Sequence, residues 1–539
     1  MNRPLRVLIL GGGYVAITFT RGLRKAIRRG QLDVTVVTGE NYQVFHGFVA
    51  EMLTGRISPG QILSPVRRIF PPSRIHVGQI ESIDLQGRKV VTSRQLDGRR
   101  YELEYDHVVL ALGSTDNLAA YPGLEEHAFR LKTYDACFRL KNHILTMFEL
   151  ADIEADPEER RRLLTFFVAG GGFAGCEVAG ELADYVRRLT RREYPGIRTD
   201  ECRVVLVNPL PSILPELHSP RPGATDGEVH PRLVRYATRH LERLGVEFKA
   251  NTLVTWVTPG ELGLSNGERI PTRTIVSAVG TKGPPIFETM PIPKTPQGRV
   301  QVDATMRVTG YENVWAAGDC AAVPHPKGGI CPPTGAFALN QGKHVARNIL
   351  RVAGGREPKP FRSTGLGQVV SLGRRTAVME IKGVELRGVL GWLLWRGFLW
   401  YYIPTWDRRL RLLADWLIWP VVGRDVVEMS VADADDYEIA HHVFQPDEII
   451  LEGGEVGRYV YLITEGEVEM LRSTGEGDHV TATFGPGGHF GHTLRDRRIR
   501  ETARAKTIVR AVSVRADQVN RLQRVLAPLE GLVSGAGGE

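Results

Sequence analysis

The chain opens with a short apolar run, a cluster of glycines and a segment of helical periodicity. The apolar run is Arg6–Leu10, the glycines are Gly11–Gly13, and the helical pattern covers Tyr14–Arg28. A second apolar run, Asp33–Val37, follows at once. This order predicts a strand, a tight turn, a helix and a parallel strand, which is the βαβ unit of a doubly wound sheet.

The same order returns in the second quarter of the chain. Leu164–Val168 predicts a strand, Gly170–Gly172 a turn, a helix runs to about Arg188, and Cys202–Val207 predicts the next strand. Two such units predict an α/β protein with two Rossmann-like, doubly wound dinucleotide-binding domains.

The pattern changes twice more toward the C-terminus. Residues 355–428 are aromatic, basic and helix-like, and the acidic linker Asp433–Asp436 follows them. Residues 441–526 are β-rich and interrupted by glycines, which predicts a separate β-barrel of the jelly-roll type. The predicted boundaries are a discontinuous first domain at 1–160 and 286–354, a second domain at 161–285, a helical region at 355–430 and the barrel at 441–530.

Composition narrows the class of protein. A chain of 539 residues with 42% hydrophobic residues fits several globular domains. Its five cysteines form no CxxC pair, which argues against a disulfide framework or a zinc ribbon, and no metal ligand set stands out.

The net charge of +8 is concentrated in one segment. Residues 355–424 hold 12 Lys and Arg against 5 Asp and Glu, so the rest of the chain is close to neutral. This distribution argues against a nucleic-acid-binding face and favours an anionic membrane surface as the partner.

Neither a signal peptide nor a membrane span is evident in the sequence. Only four apolar residues precede the first glycines, and the longest apolar run, Val389–Pro404, is interrupted by Arg396. That run is shorter than the roughly 20 residues that a spanning helix needs. We therefore expect a cytoplasmic protein.

Each βαβ unit carries the glycine pattern that binds a dinucleotide pyrophosphate. The two patterns are Gly11-x-Gly13-x-x-Ala16 and Gly170-x-Gly172-x-x-Gly175. The first glycine permits the turn, the second lets the pyrophosphate approach the backbone, and the third small residue lets the helix pack on the sheet. One such match is weak evidence, whereas two with flanking strands predict two bound dinucleotides.

The carboxylate that usually holds each ribose is displaced or missing. In the first unit the usual position holds Thr38 and the carboxylate comes at Glu40; in the second unit the position holds Asn208. An amide bonds a 2′-hydroxyl but does not repel a 2′-phosphate, so NADH and NADPH both stay open.

Further segments place small residues and one carboxylate beside a flavin. Strands within His107–Ser114 and Thr274–Gly280 end near Ala111, Gly113 and Gly280. The additional candidates are Gly318 and Asp319 after a third strand, and Gly335 and Ala336 at the start of a helix near 334–350. An aspartate accepts hydrogen bonds from ribityl hydroxyls, and the positive end of a helix stabilises reduced flavin.

These residues resemble the type II NADH dehydrogenases within the two-dinucleotide-binding-domain flavoproteins. The segments that carry the resemblance, over about residues 5–430, are Asn41–Phe45, Glu51–Gly55, Gly172–Glu181, Ile330–Thr334, Pro360–Phe361, Trp392–Trp395 and Asp415–Trp416. The resemblance implies FAD in the first domain, NADH in the second, and electron transfer to a membrane quinone without proton pumping.

The resemblance also implies two candidate catalytic residues. Glu177 would lie near the nicotinamide, and its alternative role is that of a solvent-facing residue in the first turn of a helix. Two glutamines of the family's quinone-lining helix correspond to Ala336 and Asn340, of which only Asn340 keeps an amide. The contacts of the acceptor's headgroup therefore stay open.

Two rival functions remain. Residues 40–60 contain no cysteine, which excludes disulfide reductase chemistry, but Cys137 and Cys331 leave a sulfide:quinone oxidoreductase open. A flavin-based sensor read out by the C-terminal barrel is the second alternative.

Six of the eight tryptophans lie between residues 392 and 419. Trp392, Trp395, Leu399 and Tyr402 recur at helical spacing, and a second helix is expected across 408–419. Indole rings favour the headgroup boundary and arginines pair with anionic lipids, which predicts peripheral attachment to the inner face of the cell membrane. A core helix pair and a homodimer interface are the alternatives.

The C-terminal segments resemble a cyclic-nucleotide-binding domain. The matching stretches are His442–Gly453, Val460–Val468 and Phe484–Gly491. In that family a glutamate holds the ribose and an arginine the cyclic phosphate. Here His492 stands at the position of the glutamate, and the position of the arginine falls at or beside Ile499, which Arg498 and Arg500 flank. A cyclic nucleotide, a different ligand and a structural or dimerising role all stay open.

Overall fold

The computed structural model describes most of the chain and divides it into two compact units. The described residues are 3–94, 98–218, 230–365, 367–423, 426–427, 439–451, 459–474, 477–491 and 501–515. The first unit is Met1–Glu428 and the second is Met429–Glu539.

The first domain is built on a five-stranded parallel sheet. Its strands, in spatial order, are Val314–Ala316, His107–Leu110, Leu5–Leu10, Leu32–Thr38 and Arg74–Val77. Strands covered on both faces read as continuous apolar runs, which is why the central ones were visible in the sequence. The helices Tyr14–Arg28 and Gly335–Ala353 pack closely, since a Cβ at Gly342 would lie 2.2 Å from the carbonyl oxygen of Val15.

A second parallel sheet carries the second domain. Its four strands are, in order, Val246–Lys249, Arg203–Val207, Thr165–Ala169 and Thr274–Ser277. The helix Phe173–Arg192 begins at the second glycine cluster, and Pro231–Arg243 also packs on this sheet. The prediction of two doubly wound domains is confirmed.

The remaining elements of the two domains are short connections or small antiparallel sheets. The antiparallel sheets are Gln79–Asp84 with Lys89–Ser93 and Arg100–Glu104, and Val254–Val257 with Glu261–Leu264 and Arg269–Pro271. Further helices are Val49–Leu53, Val66–Ile69, Leu124–His127, Tyr134–Ile153 and Pro157–Leu163. Short strands are Tyr42–Val44, Leu63–Pro65, Thr115–Asp116, Thr281–Lys282, Val300–Gln301 and Ala321–Ala322.

The region expected to be helical from residue 355 begins with a sheet instead. Its three antiparallel strands are Gly367–Ser371, Ala377–Ile381 and Val384–Arg387. Only then do the two helices follow, Gly388–Tyr402 and Trp406–Val422. The expectation of helix across 355–387 was wrong because tight turns at Gly373 and Gly383, both with positive φ, favour a hairpin over helix propagation.

The described part of the C-terminal unit contains two four-stranded antiparallel sheets. One contains Ile439–Phe444, Val509–Arg515, Tyr459–Glu465 and His489–Gly491; the other contains Ile449–Leu451, Thr502–Ala505, Val468–Thr474 and Gly477–Phe484. Buried residues such as Ile463, Val468 and Val509 form its own core. The predicted β-barrel is confirmed. The acidic linker, His492 and Ile499 lie outside the described residues.

Within the described ranges, no helix combines the length and the apolar character that crossing a bilayer requires.

Candidate active site

A cavity of about 860 Å³ lies where both glycine patterns of the first unit meet. Ten of the predicted site residues line it: Gly11, Gly13, Ala111, Gly113, Gly172, Glu177, Gly280, Gly318, Asp319 and Gly335. They come from the carboxyl ends of the two sheets and from the starts of three helices, which is where α/β folds bind nucleotides.

The backbone at the two fingerprints requires glycine. Gly11 and Gly170 have φ values of 113° and 112°, and a Cβ on either would come within 2.4 Å of a backbone carbonyl of the neighbouring strand. At Gly13, by contrast, no atom lies within 4 Å of the place a Cβ would take. That open space beside a helix N-terminus is what a pyrophosphate needs.

Some predicted residues contribute through packing rather than by facing the cavity. Ala16 is buried in the helix Tyr14–Arg28, Gly170 forms the turn, and a Cβ at Gly175 would overlap the carbonyl oxygen of Gly170. Small residues at these places let each helix approach its sheet, as the fingerprint predicts.

Four other predicted residues do not line this cavity. Glu40 is exposed beyond the end of its strand, and the Asn208 amide turns inward and donates to the Ser212 carbonyl at 2.6 Å. Asn340 lines a different, basic cavity and donates to the Ala336 carbonyl at 3.1 Å, and Ala336 does not line the central cavity either. Because Gly335 and Ala338 of the same helix face the central cavity, a residue two positions after Ala338 is turned well away.

Several cavity residues were missed by sequence reasoning. They are Tyr14, His46, Asp116, Lys132, Glu216, Ser277 and Thr334. Tyr14 lies inside the first glycine pattern, Ser277 ends a predicted strand, and Thr334 belongs to a segment that carries the family resemblance. The other four residues belong to no motif that would have marked them in the sequence. The half-buried Lys132 ammonium donates to the Ser114 carbonyl at 3.1 Å, and its partial burial lowers its pKa.

Gln341, another missed residue, organises the loop that carries Asp319. Its Oε1 accepts a hydrogen bond from the backbone N–H of Gly318 at 2.7 Å. Gln341 is itself buried in the helix Gly335–Ala353. The position of Asp319 is therefore tied to the helix whose first residue lines the same cavity.

Glu177 lies on the helix Phe173–Arg192 at the wall of the cavity. Its Oε1 accepts a hydrogen bond from the backbone N–H of Ser371 at 3.2 Å. Burial, more than the neighbouring carboxylates, raises the pKa of Glu177 to about 8. The raised pKa favours the protonated carboxyl at neutral pH, and the side chain is half-buried at the cavity wall.

Behind Glu177 runs a chain of buried ion pairs. Glu181 is paired with Arg56 at 2.9 Å, and Glu51 with Arg396 at 2.8 Å. Glu51 and Glu181 are each 1% exposed. These contacts connect the cavity wall to the helix Gly388–Tyr402, which carries Arg396.

The tryptophan stripe expected at the membrane faces the core instead. Trp392 and Trp395 are buried, and Trp392 and Trp416 sandwich the Arg396 guanidinium at 4.6 and 4.2 Å from their ring centres. The exposed face of the two helices is a different one: Val389, Leu390, Leu393, Leu394, Tyr401, Trp406, Leu410, Leu417 and Ile418. Both faces are apolar, so periodicity did not show which one is outward.

The cysteines do not assemble a redox centre. All five are free thiols, and none lines the cavity. Burial raises the pKa of Cys137 to about 12 and that of Cys331 to about 11, which keeps both thiols protonated. The geometry gives no support to the sulfide alternative.

Known protein families and relatives resemble this chain over most of its length. Residues 5–342 match the family described as pyridine nucleotide-disulphide oxidoreductase, and residues 441–524 match the cyclic nucleotide-binding domain. The type II NADH:quinone oxidoreductase Ndh of Mycobacterium tuberculosis is 29% identical over 430 residues, covering 77% of this chain and 88% of that protein. The type II NADH:quinone oxidoreductase of Staphylococcus aureus is 28% identical over 389 residues, covering 71% and 91%.

A solved structure of NDH2 from Plasmodium falciparum in complex with NADH shares the fold. It has a TM-score of 0.71 at 16% identity and covers 79% of this chain and 100% of its own. The resemblance to type II NADH dehydrogenases is thus confirmed by relatives in sequence and in fold. Because the family match spans more than half of the 539 residues, the chain belongs to the pyridine nucleotide-disulphide oxidoreductase family and ends in a cyclic nucleotide-binding domain.

Proposed function

We propose that this chain is a non-proton-pumping NADH:quinone oxidoreductase that uses FAD. The observation that carries the proposal is the single cavity onto which both glycine fingerprints open. A chain that binds two dinucleotides at one cavity can bring a nicotinamide and a flavin together. Relatives named type II NADH:quinone oxidoreductases align over more than two thirds of the chain.

The residues at the first fingerprint fit the FAD group. Gly11 and Gly13 leave room for the pyrophosphate, Asp319 offers a carboxylate to ribityl hydroxyls, and the helix that begins at Gly335 points its positive end into the cavity. FAD, when bound, supplies the hydride acceptor and passes electrons onward.

The second fingerprint would hold the nicotinamide dinucleotide. Gly172 lies at the N-terminus of the helix Phe173–Arg192, and Gly280 ends the loop after the strand Thr274–Ser277. Glu177, one turn into that helix, would lie beside the nicotinamide as an uncharged acid. NADH is the proposed donor, with NADPH as the alternative, since Asn208 carries no charge to repel a 2′-phosphate.

The exposed apolar face of the two C-terminal helices supports attachment to a membrane, where a quinone is dissolved. Leu417 is 78% exposed and Leu393 55%. Contiguous apolar side chains on a surface mark interaction sites, and a lipid surface fits a reaction whose acceptor is lipid-soluble. We place the protein on the inner face of the cell membrane, where NADH is available.

One experiment tests the reaction and separates it from its rivals. Purified protein with its flavin is mixed anaerobically with NADH, NADPH or sulfide, and flavin absorbance is followed before and after addition of a soluble quinone. We expect NADH to bleach the flavin and quinone to restore it through many turnovers. Reduction by sulfide alone would indicate a sulfide:quinone oxidoreductase, and reduction without turnover would indicate a sensor.

A further inference from the structure

A second, strongly basic cavity of about 530 Å³ lies away from the dinucleotide site. Four arginines at the end of the helix Phe173–Arg192 line it, Arg187, Arg188, Arg191 and Arg192. Arg374 and Arg375 from the hairpin Gly367–Ile381 complete its basic wall. Among the described residues, the lining holds seven arginines and one carboxylate, that of Asp184.

The hairpin is held on the helix by close backbone contact. A Cβ at Gly180 would lie 2.3 Å from the carbonyl oxygen of Leu372, and a Cβ at Gly373 would lie 2.3 Å from that of Gly180. The turn that follows Gly373 is therefore fixed beside the helical arginines. The two basic groups come together through tertiary structure and not through proximity in the sequence.

The turn itself carries its arginines at a conformational cost. Arg374 and Arg375 have φ values of 44° and 57°, and the Thr376 N–H bonds the Gly373 carbonyl at 3.0 Å. Positive φ at both central positions is the type I′ geometry, which Asn-Gly adopts most readily. Left-handed backbone at bulky residues concentrates at functional sites.

The positive charge in this cavity is incompletely neutralised. Among the described residues, no carboxylate forms an ion pair with Arg191, Arg192, Arg374 or Arg375, while Asp184 is paired with Arg56. Burial and the adjacent Arg192 charge lower the pKa of Arg188, as expected where like charges are crowded.

Exposed apolar residues adjoin the basic wall. Val389 lines the cavity and is 58% exposed, and Leu390 and Leu393 continue the exposed face of the helix Gly388–Tyr402. A molecule that satisfies both surfaces has an anionic head and an apolar tail. Arginine forks match the oxygens of a phosphate group.

We propose that this cavity binds the phosphate headgroup of an anionic phospholipid, with the acyl chains along the exposed face beginning at Val389. The inference rests on the membrane attachment proposed above and gives it a defined lipid site.

The test uses the full-length flavoprotein and compares two double variants. R374N/R375G removes two charges from the cavity while supplying the residues that a type I′ turn favours, so the fold is retained. The control, K343Q/R347Q, removes two exposed charges from the other basic cavity, which Asn340 lines on the helix Gly335–Ala353. Binding is measured by co-sedimentation with phosphatidylcholine vesicles with and without phosphatidylglycerol, and thermal unfolding confirms that each variant is folded.

We expect R374N/R375G to weaken binding to the anionic vesicles by about 5-fold per arginine, on the order of 25-fold together. Binding to neutral vesicles is expected to change little, and K343Q/R347Q to lose much less. Equal losses in the two variants would overturn the proposal in favour of general surface charge.

A second arm distinguishes a lipid from free phosphate. Inorganic phosphate is titrated calorimetrically into the wild-type protein and R374N/R375G. Phosphate binding that depends on the two arginines, without a difference on vesicles, would also overturn the lipid assignment. Turnover of the wild type with NADH and a soluble quinone is recorded in parallel, so that failure of the proposed reaction is seen separately from failure of the lipid site.

Discussion

The carboxylate of Glu216 accepts a hydrogen bond from the backbone N–H of Phe173, at 3.0 Å. It lies at the N-terminus of the second fingerprint helix, where a dinucleotide phosphate would bind. A Cβ at Gly172 would come within 2.6 Å of its Oε1, and its Oε2 has no hydrogen-bond partner among the described residues. A half-buried carboxyl group thus occupies the end of the helix that NADH would need, and burial raises its pKa. NADH would have to displace this group or tolerate its charge.

Neutralising Glu216 should therefore tighten NADH binding. The amide of Glu216→Gln keeps the shape of the side chain but removes the repulsion of the phosphates, so we expect the KM for NADH to fall by about 5- to 10-fold. Steady-state kinetics with a soluble quinone measures this. Glu242→Gln, at an exposed position of the helix Pro231–Arg243, is the matched control; a KM that rises in Glu216→Gln would show that Glu216 helps to bind NADH.

Ionisation of Glu177 should lower kcat/KM for NADH on the alkaline side of the pH profile. Its carboxyl is protonated below pH 8 and becomes an anion above it, beside the negatively charged dinucleotide. We expect kcat/KM for NADH to fall as the pH rises through about 8, and the profile of Glu177→Gln to be flat there. An unchanged alkaline limb in Glu177→Gln would assign it to another group.

The same group links stability to pH. Because the folded protein holds this proton more tightly than the unfolded chain, Glu177 makes folding less favourable as the pH rises from about 4.5 to about 8. Thermal unfolding should show a smaller loss of stability over that range in Glu177→Gln than in the wild type. Equal slopes would contradict the elevated pKa.

Removing only one partner of the buried ion pair between Arg396 and Glu51 should lower the free energy of unfolding strongly. Arg396→Met leaves the Glu51 carboxylate buried without its partner, which we expect to destabilise the fold by about 3–5 kcal/mol. The double variant R396M/E51L removes both charges and should recover most of that loss. Comparing the midpoints of thermal unfolding tests this, and equal losses in the single and double variants would mean that the indole contacts of Arg396 dominate.

The exposed leucines should govern membrane association. L393Q/L417Q removes two exposed apolar side chains, each worth about 1.5–3 kcal/mol when fully buried in an apolar phase, so vesicle binding should fall at least 10-fold. I153Q/L253Q, which changes exposed apolar residues elsewhere in the first unit, is the control. Equal partitioning of both variants would exclude this face as the attachment surface.

The C-terminal barrel is expected to bind neither cAMP nor cGMP. By its resemblance to the family, the sequence has His492 where a glutamate would hold the ribose, and the place of the phosphate-binding arginine falls at or beside Ile499, between Arg498 and Arg500. Calorimetric titration of the full chain with each nucleotide should give no saturable heat. Saturable binding of either one would show that another residue supplies the anion contact.

Sequence patterns predicted the turns and strands whose conformation depends on residues close to each other along the chain. The fingerprint glycines Gly11 and Gly170 predict their turns because only glycine adopts that backbone conformation without strain. Continuous apolar runs predict the strands of a sheet that is covered on both faces. The strands at 367–387 were missed because their tight glycine turns are a weaker signal than the aromatic, helix-like run that follows them.

The sequence by itself determined the two dinucleotide-binding domains, the barrel and ten of the residues that line the cavity. Tertiary structure alone decided where Asn340 and Asn208 point and which face of the helix Gly388–Tyr402 is outward. It also decided that the pKa of Glu177 is raised, that Glu216 lies at the second fingerprint helix and that the arginine cavity exists. The reason is physical: backbone conformation is governed by neighbours along the chain, whereas burial, charge pairing and pKa depend on groups brought together from distant segments.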